Sequence, residues 1–282
     1  MKRTFLTKLR INGAYYLIGA LLLLLGVPLY QSLILLPQGY GDALASASKG
    51  SLSSYLLWIG NHLGQFLGYR ALLIIAFTLL VSLPFTLFRI IVAQEILGEE
   101  DEEEENTEGE DEKDEEAGSI ETPPATDAMP ADAWRGKGFA VLAAWSGLSS
   151  IVLYALGTLA STIYLAIVSN TFSMHTTAPA SFPVIFAALS IITNTIGGGL
   201  LALSCLFFGA IIARRGLKLW PGVWVAFGYT ALAVAALLSG SAVGVASAPM
   251  GDQAVLTTPA ILLFALWILW FGFMLVRLKP EV

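Results

Sequence analysis

Apolar residues in this chain fall into long, nearly unbroken runs at 14–36, 71–93, 139–168, 182–213, 221–246 and 257–276. A helix of about 20 such residues crosses a hydrocarbon core of about 30 Å, and each run is that long or longer. A lipid-exposed backbone must satisfy its own hydrogen bonds, so runs of this length read as helices. The pattern predicts an all-α, polytopic membrane bundle with six transmembrane helices. Pro84 predicts a kink in the second span, and Pro183, Pro221 and Pro259 each fall where a span begins, where a missing N–H does no harm.

Residues 51–69 follow a different pattern. Leu52, Tyr55, Leu56, Ile59, Leu63, Phe66 and Leu67 recur at helical spacing, with Asn61, His62 and Gln65 on the other side. Gly60, Gly64 and Gly68 stand at four-residue steps. The segment predicts an amphipathic surface helix or an outer extension of the second span packed on a neighbour; a re-entrant helix is the alternative.

Between the second and third runs the apolar pattern stops. Residues 98–132 hold 17 carboxylates against a single lysine, Lys113, and end in a Pro/Ala/Thr tail. Like charges at this density, with little apolar surface to offset chain entropy, predict a disordered solvated loop. It divides the chain into an N-terminal membrane part (1–97), the acidic loop (98–132) and a C-terminal membrane part (133–282).

Composition sharpens this picture. The chain is 56% apolar and 13% charged, with a mean hydropathy of +0.73, against about 25% charged residues in soluble domains. The net charge of −6 comes from the loop, so it implies neither nucleic acid nor an acidic substrate as partner; the partner implied is the lipid bilayer. If both termini and the loop lie on one side, that side holds 13 Lys/Arg and the other only Lys49 and Arg70. This asymmetry predicts cytoplasmic N and C termini. Trp58, Trp134, Trp220 and Trp224 lie near the expected interfaces. A cleaved signal peptide, with Ala43-Leu44-Ala45 as its cleavage site, competes with the first span, but the apolar run exceeds the usual length of a signal core.

Candidate chemistry is sparse. The span cores hold no Asp, Glu, Lys or His, which argues against proton-coupled transport. No zincin, P-loop or nucleophile-elbow motif is present, so no catalytic residue, cofactor or metal site is assigned. His62 and His175 read as separate solvent-facing imidazoles, and Cys205 as a packed small hydrophobe. The one candidate site is the middle of the fourth span: Ser190, Thr193, Asn194 and Thr195, followed by Gly197, Gly198 and Gly199. These residues either contact a solute where the helix is interrupted or serve helix packing. Gly157, Thr158, Ser161, Thr162, Gly240 and Gly244 belong to the packing reading.

The acidic loop is a candidate docking tether for a protein partner, or a solvated spacer, and a homo-oligomer is a further candidate assembly. The expectation is a non-enzymatic membrane subunit or scaffold. The alternative is a permease or channel for a small neutral solute using the polar centre of the fourth span.

Residues 206–224, through Phe207-Phe208-Gly209-Ala210-Ile211-Ile212-Ala213-Arg214-Arg215-Gly216 and Trp220-Pro221-Gly222-Val223-Trp224, together with 11–19, resemble a broad group of uncharacterised multi-span bacterial membrane proteins. The resemblance covers about a quarter of the chain and implies a bacterial inner-membrane protein of about six helices. It carries no activity and no functional residue, and the acidic insertion departs from it.

Overall fold

The computed structural model describes residues 3–49, 51–94, 131–174, 179–247 and 253–278, with side-chain environments for 7–49, 51–94, 138–172, 179–247 and 256–278. The acidic segment 98–132, apart from a helical backbone from Ala131, lies outside the described residues, as does His175. The described residues fold as helices joined by short turns. Six of them are long and apolar enough to cross a membrane, so the chain is an all-α, multi-span membrane protein.

In chain order, α1 spans Thr7–Gln38. Two short helices follow, α2 (Tyr40–Ser48) and α3 (Leu52–Asn61). The other five spans are α4 (Leu63–Gln94), α5 (Ala131–Met174), α6 (Phe182–Lys218), α7 (Gly222–Ser247) and α8 (Gln253–Val276). Each span packs on the next from α4 to α8, and α1 closes the circuit by packing on both α8 and α4. The result is a ring of six antiparallel helices with one interior.

Lipid tails are as apolar as leucine, so burial drives these helices together only weakly; close backbone approach and van der Waals fit hold the ring. At the α1–α8 closure, a Cβ on Gly13 would stand 3.0 Å from the Gly272 carbonyl oxygen, and one on Gly272 would stand 2.9 Å from that of Gly13. Gly209 and Gly228 serve the α6–α7 crossing in the same way, a Cβ at Gly209 falling 2.8 Å from the Gly228 carbonyl. Outward positions such as Leu33, Ile167 and Val243 stay exposed, as a lipid-facing surface requires.

Two cores result. The larger runs down the ring interior, through Tyr16, Phe77, Tyr154, Phe208, Phe227 and Phe271 among others. The smaller sits at the end opposite the termini, where α2 and α3 cap the ring with Tyr40, Tyr55, Trp58, Phe66, Leu165 and Phe182. Gly39 allows the sharp entry into α2, with φ at 83°. At the other end Arg10 donates to the Leu278 carbonyl, 3.1 Å from Nε, tying the first span to the last.

Several local features differ from the pattern-based expectations. The break in segment 51–69 falls at His62, so residues 63–69 begin the second span. Gly68 admits the Tyr30 hydroxyl and Gly60 faces the Ser169 carbonyl, whereas Gly64 and Gly240 face open space. Trp58 and Trp220 are buried inside the protein, Trp58 donating to the Gln38 carbonyl at 2.7 Å. Pro259 sits inside α8, because the helix begins at Gln253; the proline forfeits one first-turn bond to residue 255.

Candidate functional site

Proline and hydroxyl residues decide where the helices depart from regular geometry. Pro84 has no N–H to give, and just before it α4 opens into a turn at 80–82, with Leu83 N–H reaching back to the Leu80 carbonyl at 2.9 Å. A buried hydroxyl cluster holds this break. Tyr16 Oη lies 2.7 Å from Thr86 Oγ1 and 2.9 Å from Ser82 Oγ, and Asn12 donates to Thr86 at 3.1 Å.

Wider π-helical turns occur at Leu22–Gly26 and Gln31–Leu35, on either side of Pro28, and at Ile191–Ile196. Such turns push side chains out of the regular helical register and often border functional sites. Here all three border one cavity.

The cavity has a volume of about 260 Å³ and lies within the ring, beneath the α2–α3 cap. That is room for several waters or a small organic solute. α1 contributes Leu23, Val27, Pro28 and Gln31; α2 and α3 contribute Tyr40, Leu44 and Tyr55. Tyr69, Arg70, Leu73 and Phe77 come from α4, and Tyr154, Thr158 and Ser161 from α5. α6 supplies Phe186, Leu189, Ser190, Thr193 and Asn194; α8 supplies Thr257, Thr258, Ile261 and Leu262. Phe77 and Tyr154 stack with ring centroids 4.9 Å apart, almost parallel. Both also belong to the larger core, so they form the cavity's floor. Beyond them the interior is filled by side chains such as Ile151, Leu201 and Phe208.

The sequence-based site residues divide. Ser190, Thr193 and Asn194 line the cavity, while Thr195 and Gly197–Gly199 do not. Thr193 donates to the Leu189 carbonyl at 2.8 Å and Asn194 Nδ2 to Ser190 Oγ at 3.1 Å. Those bonds leave the Asn194 carbonyl oxygen and its second N–H for other partners. The helix here is widened and unbroken, unlike the interrupted helix that a carbonyl-lined solute site requires.

The glycines serve packing at the floor. Tyr154 lies 3.5 Å from the Cβ position of Gly197 and 3.4 Å from that of Gly198, and Ser150 donates to the Gly197 carbonyl at 2.7 Å. Gly199 borders a separate, mostly apolar groove between α6 and α7. Gly157 faces Thr193, whose Oγ1 would overlap any Cβ added there. Thr195 Oγ1 is buried without a hydrogen-bond partner.

Sequence reasoning passed over the other half of the site. Arg70, Gln31 and the tyrosines 40, 55, 69 and 154 sit on segments that looked like interface or packing positions, and only the fold brings them to one cavity. Gln31 does break an apolar run, which was the available signal. Tyr40 packs against Trp58, with centroids 4.9 Å apart, and against Tyr55 and Tyr69. Burial holds its phenol well above the ordinary tyrosine value; Tyr55 and Tyr69 push the same way and Arg70 opposes them. The Tyr40 hydroxyl is therefore neutral at physiological pH. His62 stacks on Trp58 and bonds the Trp58 carbonyl through Nδ1 at 3.1 Å. Among the described residues no group of three metal-ligating side chains occurs. Cys205 is buried in α6.

Fold and site together define a multi-span helical membrane protein with a cavity inside the ring whose wall is apolar with several polar groups. No family model, curated protein or solved structure matches the chain, so the resemblance of residues 11–19 and 206–224 extends only to the multi-span architecture.

Proposed function

We propose that the protein is a non-enzymatic membrane carrier that binds a small solute in the cavity beneath α2 and α3. The carrying observation is the convergence of Ser190, Thr193 and Asn194 with polar groups of α1, α4, α5 and α8 around an unfilled space. A scaffold needs packed helices and has no use for such a space. The apolar members of the wall, among them Leu73, Leu189, Ile261 and Leu262, suit a solute with an apolar body and one polar end.

The distribution of Lys and Arg supports cytoplasmic termini. In that orientation the cavity lies in the outer half of the membrane, and the packed interior beyond the Phe77–Tyr154 floor separates it from the cytoplasm. The bacterial inner membrane is the setting that the sequence resemblance favours. The docking-tether reading of 98–132 rests on charge alone and is compatible with a carrier. Deleting residues 99–132 tests it by whether a co-purifying protein is lost.

Asn194→Leu tests the carrier directly. It keeps the side-chain size and removes the free amide from the cavity wall. Solute uptake into proteoliposomes should fall at least tenfold, with expression and monodispersity retained; uptake equal to wild type would contradict the reading.

A further inference from the structure

Among the described residues, Arg70 is the only charged one lining the cavity. Its Nε is buried with no hydrogen-bond partner, while the side chain as a whole is half-buried. Its Cζ lies 5.2 Å from the centroid of the Phe66 ring, and its charge acts on the neighbouring phenols of Tyr40 and Tyr69. Arginine keeps its charge in proteins, and cation–π contact replaces only part of the lost hydration. A cation with an orphaned N–H, on the wall of an unfilled space, offers an anion a charge-assisted hydrogen bond.

Resting on the carrier reading above, we propose that the ligand is a small monocarboxylate, its anionic end held by Arg70 and its apolar body against Leu73, Leu189 and Ile261. One cation balances one negative charge, whereas a dianionic phosphate would leave an uncompensated charge in the site. The guanidinium fork matches a carboxylate in two parallel N–H···O bonds. Asn194, with an unused amide N–H, offers a further donor on the opposite wall. This replaces the neutral solute suggested by the charge-free span cores, because Arg70, near one end of α4, still faces the interior of the ring.

The test is equilibrium dialysis of the full-length protein in detergent with radiolabelled hexanoate and, separately, its neutral isostere hexanamide. Wild type, Arg70→Gln, Arg70→Lys and Lys49→Gln are compared; Lys49 is an exposed cation near the same end. Hexanoate should bind wild type and Lys49→Gln equally, weaken at least tenfold in Arg70→Gln and recover in part in Arg70→Lys. Hexanamide should bind more weakly than hexanoate and ignore Arg70→Gln.

Hexanoate binding that also ignores Arg70→Gln overturns the anion assignment and leaves the cavity reading standing. No binding of either probe to any form, together with no lipid adduct, overturns both. Native mass spectrometry after exposure to phosphatidylglycerol vesicles covers the lipid source. An Arg70-dependent adduct of that lipid, with no hexanoate binding, overturns the free carboxylate in favour of a lipid headgroup.

Discussion

At the scale of single residues, function and packing share the same side chains. Thr193 lines the cavity, yet its hydroxyl is bonded to its own helix and its bulk fits against Gly157 of α5. Tyr40 is both a wall residue and the centre of the aromatic cap. Its phenol is raised above the ordinary value of about 10, so the fold favours the neutral form. The stability this gives is present in full below about pH 10 and is lost as pH rises above it. Thermal unfolding in detergent should show a falling Tm above pH 10, and Tyr40→Phe, which has nothing to ionise, should flatten that fall. An identical alkaline profile in the variant would place the sensitivity elsewhere. Polar residues within an apolar run, such as Asn194, were visible in the sequence because they interrupt a pattern. Arg70 was visible too, but only as one of two cations on the outer side, and it is the fold that sets it on the cavity wall.

At the scale of elements, the departures from regular helix are concentrated where the cavity and its floor require them. Pro84 marked one of these places in the sequence and Pro28 passed unread at another; the π turn at Ile191–Ile196 had no proline to announce it. α2 was hidden because Pro37 and Gly39 end the first span, and the new helix that starts beyond Gly39 takes in Gly41, a residue that would itself suggest a turn. The break at 80–82 in α4 is held by Tyr16, Ser82, Thr86 and Asn12. Removing the Tyr16 hydroxyl leaves buried partners short of a bond, which costs about 1–3 kcal/mol. Tyr16→Phe should therefore lower Tm in detergent while hexanoate affinity, read at a site on the other side of the floor, stays near wild type. Loss of binding with unchanged Tm would mean that the cluster serves the site and not the break.

At the scale of the whole molecule, apolar run length was enough to read six spans, since a lipid-exposed backbone admits few alternatives to helix. The closure of the ring was not legible: it depends on Gly13 meeting Gly272, residues at opposite ends of the chain with nothing in either local pattern to pair them. The cavity follows from that closure, which explains why half of its wall went unrecognised. The central claim is an aqueous cavity reached from one end of the ring. Thiol accessibility tests it most directly, using Ser161→Cys on the wall and Leu201→Cys in the packed interior, both in a Cys205→Ala background. In oriented membranes, a membrane-impermeant maleimide should label Ser161→Cys from the face carrying α2 and α3 and leave Leu201→Cys unlabelled from either face. Failure to label Ser161→Cys, or labelling of it from the face carrying the termini, would contradict the account.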